Sequence, residues 1–510
     1  MCYKKLTTHN LYELFYNNTQ NCLDQTAVTF KETKLTFRDI FSVSEKLAMQ
    51  LRKTGISDGS IVGLVLPNNA FFIPALLSLF RLSATVALIS PKYRQSDISA
   101  INDAIKPTCY ITTSSGIDVL KTMIPDNKVN QIEIDGLTDD LFLLFPFKNR
   151  TSENSASHLS LKFGLKEKDI ALIKFTSGST GTPKAIALTV ENVIAEAENV
   201  VSTLEVTTND CILSAVPLFH SYGFDLGVLP VLFAGAQMII EDIFIPRIII
   251  RYLSQKKVTL FLGVPNMYRF FVETKLSAIP DLSHIRYLLS CTAPLHPDLM
   301  ISFYDKFGIP ICQHYGSSES GAVTNHIPNE VMSRKESVGK AMKNVFIKIV
   351  DQNGNELPGG EQGEVIVKSK VIAAGYLLGE DPNKTVFKDD HYYTGDLGYI
   401  DEQGFLFLQG RKDQMINVGG LKVSPFEVIR VLNEFPLVAE SAVVGAKDSF
   451  GEEFVYAAVT LKATTTENDI LAFCKSHLAE YKVPRRIDIW KELPKSDSGK
   501  IILRPEDINI

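Results

Sequence analysis

The chain of 510 residues lacks most of the features that mark specialised protein classes. Its seven cysteines (Cys2, Cys22, Cys109, Cys211, Cys291, Cys312 and Cys474) have none of the paired spacings of a zinc site or a secreted disulfide framework, so reduced thiols are expected. Positive charge is not in excess: a formal net charge of -6 leaves no basic footprint for nucleic acid. No apolar run suits a bilayer. The stretch 61–89 is interrupted by Pro67-Asn68-Asn69, Pro74 and Arg81, which fit a buried strand followed by a core helix. The opening Met1-Cys2-Tyr3-Lys4-Lys5 has no apolar segment of a secretory leader, and a cytoplasmic protein with no membrane span is expected. Internal repeats and low-complexity linkers are missing too.

What is present is a globular composition, 45% hydrophobic and 22% charged, on a chain too long for one core. Short apolar runs alternate with longer periodic segments: 61–66, 84–89, 108–112, 170–175, 211–216, 238–240, 260–264 and 287–290. That alternation predicts parallel sheets covered by helices. From about Val345 shorter strands carry turn signals, Asp351-Gln352-Asn353-Gly354 and Leu357-Pro358-Gly359-Gly360, which predict an antiparallel, barrel-like portion. After Arg411 about a hundred residues remain, enough for a small α+β unit. There Ser424-Pro425-Phe426-Glu427 reads as a capping box opening one helix and Thr466-Glu467-Asn468-Asp469 opens another.

The most informative segment is Phe175-Thr176-Ser177-Gly178-Ser179-Thr180-Gly181-Thr182-Pro183-Lys184, set between the strand-like Ile170–Ile173 and the helix start Thr189-Val190-Glu191-Asn192. Glycines let backbone N–H groups converge on an anion, hydroxyls add donors, and a lysine supplies a mobile positive charge, so polyphosphate binding is indicated. A flexible polar surface loop would have the same composition. The common P-loop is excluded, because Pro183 precedes the lysine and Ala185 follows it. Four further constellations are individually weak. Tyr315-Gly316-Ser317-Ser318-Glu319 offers a stacking ring, a hydroxyl and a metal-binding carboxylate. Tyr393-Thr394-Gly395-Asp396 sets a carboxylate in a tight turn, suited to ribose hydroxyls. Gly410-Arg411-Lys412-Asp413 with Val418-Gly419-Gly420-Leu421-Lys422, and Pro494-Lys495-Ser496-Asp497-Ser498-Gly499-Lys500, are charged glycine-bearing segments that a solvated linker and an exposed tail would equally contain.

Together and in this order these motifs resemble the adenylate-forming superfamily of acyl- and aryl-CoA synthetases, luciferases and nonribosomal-peptide adenylation domains. The resemblance runs from Leu35-Thr36-Phe37-Arg38-Asp39 to Lys500. It implies an α/β fold: a large N-terminal domain, residues 1–411, of two sheet-and-helix subdomains plus a distorted β-barrel, and a mobile C-terminal lid, residues 412–510, hinged at Asp413. It also implies a reaction in two steps, in which a carboxylate attacks the α-phosphate of ATP to give an acyl-adenylate and a thiol then displaces AMP.

Site roles follow from the resemblance. Thr176, Ser177, Gly178, Ser179, Thr180, Gly181, Thr182 and Lys184 match the loop on the β- and γ-phosphates; Tyr315 with Gly316 matches the adenine-stacking position, Ser318 the hydroxyl on the α-phosphate and Glu319 the Mg2+ carboxylate. The family usually has threonine where Ser318 stands. Asp396 and Arg411 match ribose or phosphate ligands, and Lys500 the lysine that bridges the carboxylate and the α-phosphate. Gly419 and Gly420 match the loop that replaces Lys500 for thioester formation. His220, fifteen residues before Gly235-Ala236, matches a gate histidine of CoA ligases. The aspartate that grips an α-ammonium in amino-acid-activating domains would fall at Tyr222. Asp225 follows three residues later, either facing the substrate pocket or capping or solvating a helix, with Ser290, Cys291 and Val323 as further pocket residues. Expected cofactors are ATP, Mg2+ and CoA, the acceptor being CoA or the phosphopantetheine of a separate carrier protein. An acid-thiol ligase is expected. The alternative is an enzyme loading an acyl group, or an amino acid with its amine beyond the α-position, onto a carrier; a luciferase-like oxygenase would share this fold and is told apart by light or oxygen uptake, and intact Lys184, Glu319, Asp396 and Lys500 argue against a silent binding module.

Overall fold

The computed structural model describes residues 10–124, 128–132, 141–145, 169–176, 183–255, 257–377, 383–388, 390–448, 451–495 and 500–508. Two large mixed sheets dominate. One runs, in spatial order, Lys340–Ala341, Gly321–Asn325, Ile311–Ser317, Tyr287–Ser290, Leu260–Gly263, Cys211–Ser214, Gln237–Ile240, Thr26–Phe30 and Thr33–Thr36. The other runs Gly375–Tyr376, Lys184–Thr189, Ile170–Thr176, Thr85–Leu88, Ile61–Val65, Cys109–Thr113, Leu141–Phe145 and Lys128–Ile132. The central strands of both pair in parallel, as the apolar runs predict, because strands covered on both faces have no polar side to show. The apolar stretch 61–89 resolves into the wholly buried strand Ile61–Val65, the core helix Phe72–Arg81 and the strand Thr85–Leu88.

Local chemistry fixes several helix starts. Thr36 with Asp39, Thr189 with Asn192, and Thr466 with Asp469 each form a reciprocal capping box, satisfying amides that the first turn leaves open. Ser424 does not. Its side chain makes no cap bond; the hydroxyl donates instead to the carbonyl of Gln409, 2.7 Å away, and Glu427 pairs with Lys482. A cap needs the serine oxygen as an acceptor; here the hydroxyl is turned to the junction with the preceding strand, and no first-turn amide reaches its oxygen.

The region after Val345 is antiparallel as expected, built from Phe346–Val350, Gly363–Lys368, Phe387–Lys388, His391–Ile400 and Leu406–Arg411. Its pairing among the described residues is an open, branched sheet rather than a closed barrel. The ten-residue strand His391–Ile400 gives one edge to Gly363–Lys368 and divides the other between Phe387–Lys388 and Leu406–Arg411; closing a ring would need Phe346–Val350 to pair with one of these, and Leu406 instead exchanges backbone bonds with Val338 and Gly339. The C-terminal unit has its own core, with Val428, Leu432, Val455, Val459, Ile470 and Cys474 packed between two helices and the strands Val438–Lys447, Glu453–Leu461 and Arg486–Ile489.

Candidate functional site

Loops and strand ends of the two large sheets and the antiparallel sheet converge on one region. Tyr315, on Ile311–Ser317, donates its hydroxyl to Asp396 Oδ2 at 2.5 Å, and Asp396 lies directly across the ladder from Arg411. Arg411 Nη1 meets the other oxygen of Asp396 at 3.2 Å, while its Nε and Nη2 reach Asp413 at 2.9 and 3.4 Å. Burial raises the Asp396 carboxyl above its ordinary value, and Tyr315, Arg411 and Lys500 act against that rise. Lys500 comes from the far end of the chain. Crowding by protein lowers its ammonium, Arg411 adds to the fall, and Asp396 and Asp413 oppose it. A ring, two carboxylates and two cations from three parts of the sequence thus share one electrostatic neighbourhood.

A second group stands beside it. Glu319 is buried, and its Oε1 accepts from the Tyr376 hydroxyl at 2.8 Å. The Tyr376 ring also faces the Lys184 ammonium, 5.6 Å from the centroid. Lys184 lies opposite Thr176 in the hairpin of Ile170–Thr176 and Lys184–Thr189, so both mouths of the phosphate-loop motif reach this place; Ser177, Gly178, Ser179, Thr180, Gly181 and Thr182 lie outside the described residues. Ser317 and Ser320 clasp each other by amide and hydroxyl, which tightens the turn carrying Ser318 and Glu319. Ser318 Oγ meets Ser221 Oγ at 2.7 Å. Gly316 has a reason to be glycine: a Cβ there would come within 2.2 Å of the Gly321 carbonyl oxygen.

His220 caps the short helical turn Ser221–Gly223, its Nδ1 accepting from the Tyr222 amide at 3.4 Å. Asn68 steadies the approach to that turn, donating to the Val216 and Glu241 carbonyls and accepting from the Leu218 amide. Cys291 follows the strand Tyr287–Ser290, and burial pushes its thiol up to about 12. Ser290 ends that strand with its hydroxyl unpartnered, and Val323 is fully buried in Gly321–Asn325.

Asp225 is neither a pocket carboxylate nor a helix cap. It sits in the single π-helical turn Phe224–Val228, fully engaged by Lys174 Nζ at 2.6 and 2.7 Å. Lys174 projects from Ile170–Thr176, the strand that leads into the phosphate loop, and both side chains are under 5% exposed, at 3% and 4%. Glu196, on the helix Val190–Leu204, completes the group. Its Oε1 accepts from the Ala322 amide at 2.9 Å, and burial, reinforced by Asp225, pushes its carboxyl up to about 8. Lys174 is bonded to Asp225 and reaches Glu196 only through its field, so burial keeps the second carboxyl protonated. Sequence patterns gave no warning of Lys174, Glu196 or Tyr376. A polar residue inside an apolar element was the one available signal for the first two, and Gly375-Tyr376 carried none.

Gly419 and Gly420 form the tip of the hairpin Ile416–Val418/Leu421–Val423. Both have positive φ, +56° and +88°, and no atom lies within 4 Å of where their Cβ would be. The structure therefore brings Lys500, not this hairpin, to Asp396 and Arg411. Asp413 lies in the turn Lys412–Gln414 between the antiparallel sheet and the hairpin. Contacts of the C-terminal unit with the main body include Arg269, which meets Glu440 at 3.5 Å and the Ala439 carbonyl at 3.4 Å, Ser424 on the Gln409 carbonyl, and Lys412 with Glu364 at 2.9 Å.

Comparison with known proteins gives concordant matches. The family model described as AMP-binding enzyme matches residues 14–377, and that of the AMP-binding enzyme C-terminal domain matches residues 427–500. The long-chain-fatty-acid–CoA ligase of Bacillus subtilis (strain 168) is 30% identical over 94% of this chain and 91% of its own length. The oxalate–CoA ligase of Arabidopsis thaliana is 29% identical, covering 92% of each. Among solved structures, the O-succinylbenzoate coenzyme A synthetase from Bacillus subtilis in complex with ATP and magnesium ion superposes with a TM-score of 0.79 at 25% identity, over 96% of this chain and 98% of that one.

Proposed function

The chain belongs to the family of AMP-binding enzymes, and from that membership we propose that it is an acid-thiol ligase that adenylates a carboxylic acid with MgATP and passes the acyl group to CoA. The observation that carries this reading is the convergence of Lys500 with Asp396, Arg411 and Asp413 beside Tyr315. In this reading Tyr315 stacks on the adenine, Asp396 and Arg411 hold the ribose, and Ser318 meets the α-phosphate. Lys184 and Thr176, with the loop between them, take the outer phosphates. Lys500, a point charge on a flexible stem, follows the oxygens as charge migrates from the carboxylate to the leaving pyrophosphate. Glu319 suits a magnesium ion that arrives with the nucleotide. No cage of three or more metal-binding side chains occurs among the described residues, and Mg2+ commonly takes one or two carboxylates and completes its shell with substrate phosphates.

The boundary of the lid falls between Arg411 and Lys412, with Asp413 as the hinge. The separate C-terminal core supports it. An exposed Gly419-Gly420 hairpin is suited to enter the site after the lid turns. The lock of Asp225 on Lys174 leaves no carboxylate there for a substrate ammonium, so a plain acid is favoured over an amino acid. The CoA ligases among the relatives favour CoA over a carrier protein. A cytoplasmic location accords with the use of ATP and with six free thiols among the described residues, in which no helix is long and apolar enough to cross a membrane.

The test separates the half-reactions. Lys500→Ala should abolish acid-dependent pyrophosphate exchange yet keep most thioester formation from supplied acyl-AMP. Equal loss of both steps would overturn the assignment of Lys500.

A further inference from the structure

The helix Val190–Leu204, which follows the phosphate-loop hairpin, carries three polar side chains on one face, spaced four and three residues apart: Asn192, Glu196 and Asn199. Glu196 and Asn199 are closed off from solvent, at 1% and 0% exposed. All three reach backbone outside the helix. Glu196 Oε1 accepts from the Ala322 amide and Asn199 Nδ2 donates to the Ala322 carbonyl, each at 2.9 Å, so both polar groups of that residue are gripped from one helix. Asn192 Nδ2 donates to the carbonyls of Lys370 and Ile372, at 2.8 and 3.0 Å. The residue after Ile372, Ala373, gives its amide to the Glu319 carbonyl at 2.8 Å. The turn bearing Ser318 and Glu319 is thereby held at Glu319 and again at Ala322, both times by way of the same helix.

The N-terminal end of this face leads to the phosphate loop. Thr189 closes the strand Lys184–Thr189, and Asn192 Oδ1 accepts from its amide at 2.9 Å and its hydroxyl at 3.0 Å. One element therefore spans the hairpin that presents Lys184 and the turn that presents Glu319. Its length is fixed by its own hydrogen-bond ladder, and the polar side chains on its inner face are short enough to transmit that length. Packing alone does not call for such a stripe, since apolar side chains would fill the same space and a fully buried glutamate is rare. Glu196 needs no charge for the task. Burial, reinforced by Asp225 and opposed by Lys174, pushes its carboxyl up to about 8, and an uncharged carbonyl oxygen is enough to accept from an amide.

We propose that Glu196 and Asn199 are positioning residues, which hold the turn carrying Ser318 and Glu319 at the distance from the Lys184 hairpin that MgATP requires. The inference rests on the ligase reading above. It is tested by calorimetric titration of MgATP into the whole protein without acid, alongside pyrophosphate exchange over ranges of ATP and of acid. Glu196→Leu keeps the bulk and removes the acceptor; Asn199→Leu removes the donor. Each should weaken MgATP binding at least about tenfold, the scale of one buried polar group left unmet, with a matching rise in the KM for ATP and little change in that for the acid. Glu196→Gln supplies an acceptor without a charge and should bind MgATP as the wild type does. The melting temperature of each variant without nucleotide tells a lost fold from a displaced turn, and if Glu196→Leu does not fold, Glu196→Gln and Asn199→Leu still decide. Folded leucine variants that bind MgATP like the wild type would overturn this proposal and leave the ligase reading standing. So would a glutamine variant as weak as the leucine one, or equal rises in KM for ATP and acid. A wild type that binds no MgATP would overturn both.

Discussion

Lys174, Asp225 and Glu196 are sealed beneath the active region, whereas Asp396, Arg411, Asp413 and Lys500 meet at its rim. The first set draws all its members from one folded body: a strand, a π-turn and a helix whose carboxylate also holds the Ala322 amide. The second spans two units, and solvent reaches much of it: the Arg411 side chain is 39% exposed and that of Asp413 53%. Dry ion pairs are hard to break because the partner left behind has no water; wet ones exchange for water at little cost. The contrast separates a framework that ties the strand Ile170–Thr176 to the turn Phe224–Val228 from a contact that, in the ligase reading, is suited to being made and released once per turnover.

The strongest blow to that distinction is aimed at the dry pair. Lys174→Met or Asp225→Leu alone should cost about 3–5 kcal/mol in urea unfolding, since each strands a buried charge. The double variant, apolar and of similar volume, should recover most of that loss. If the double is as unstable as the singles, the pair is not what matters there.

Glu196 sharpens the comparison through pH. Its carboxyl titrates ordinarily at 4.5 and at about 8 in the folded chain. Between those values the folded state holds a proton that the unfolded state has lost. Its contribution to stability is complete below about 4.5 and is lost as pH rises through 8, at a slope of at most about 1.4 kcal/mol per pH unit. Glu196→Gln should flatten melting temperature against pH across that window. An unchanged profile would mean the carboxyl is not held neutral.

The smallest expected effect is at the rim. Asp413→Ala should change unfolding free energy by less than about 1 kcal/mol while altering the balance between adenylation and thioester formation. A loss as large as that of Lys174→Met would erase the contrast altogether.

The ordered motifs were readable because their chemistry is local: a glycine-hydroxyl-lysine turn after a strand, a carboxylate in a tight turn, a lysine near the end of the chain. Parallel strands were readable because strands such as Ile61–Val65 and Thr85–Leu88 are buried at every position and so are apolar throughout. The Lys174–Asp225 pair was not, since partners 51 residues apart leave no periodic trace, and an aspartate after Phe224 looks the same whether it faces substrate or core. Ser424 shows a different limit. The pattern of a capping box was intact, but a carbonyl supplied by the fold turned the hydroxyl away from the first-turn amides. Tyr376 gains its place only when Gly375–Tyr376 pairs with Lys184–Thr189, setting its ring by Lys184 and its hydroxyl on Glu319.

The close approach of Gly316 to the Gly321 carbonyl has a consequence for how such an enzyme diversifies. Position 316 cannot acquire even a methyl group without moving backbone, and Gly321, at φ +62° with Glu196 Oε2 2.4 Å from where its Cβ would lie, is equally closed. That turn is therefore closed to larger side chains. In the ligase reading, a lineage or a laboratory seeking a new acid has Ser290, Cys291 and Val323 to work through, where side chains already exist to be exchanged. A saturation library confined to those three codons should return more folded protein than the same effort spent on the two glycines.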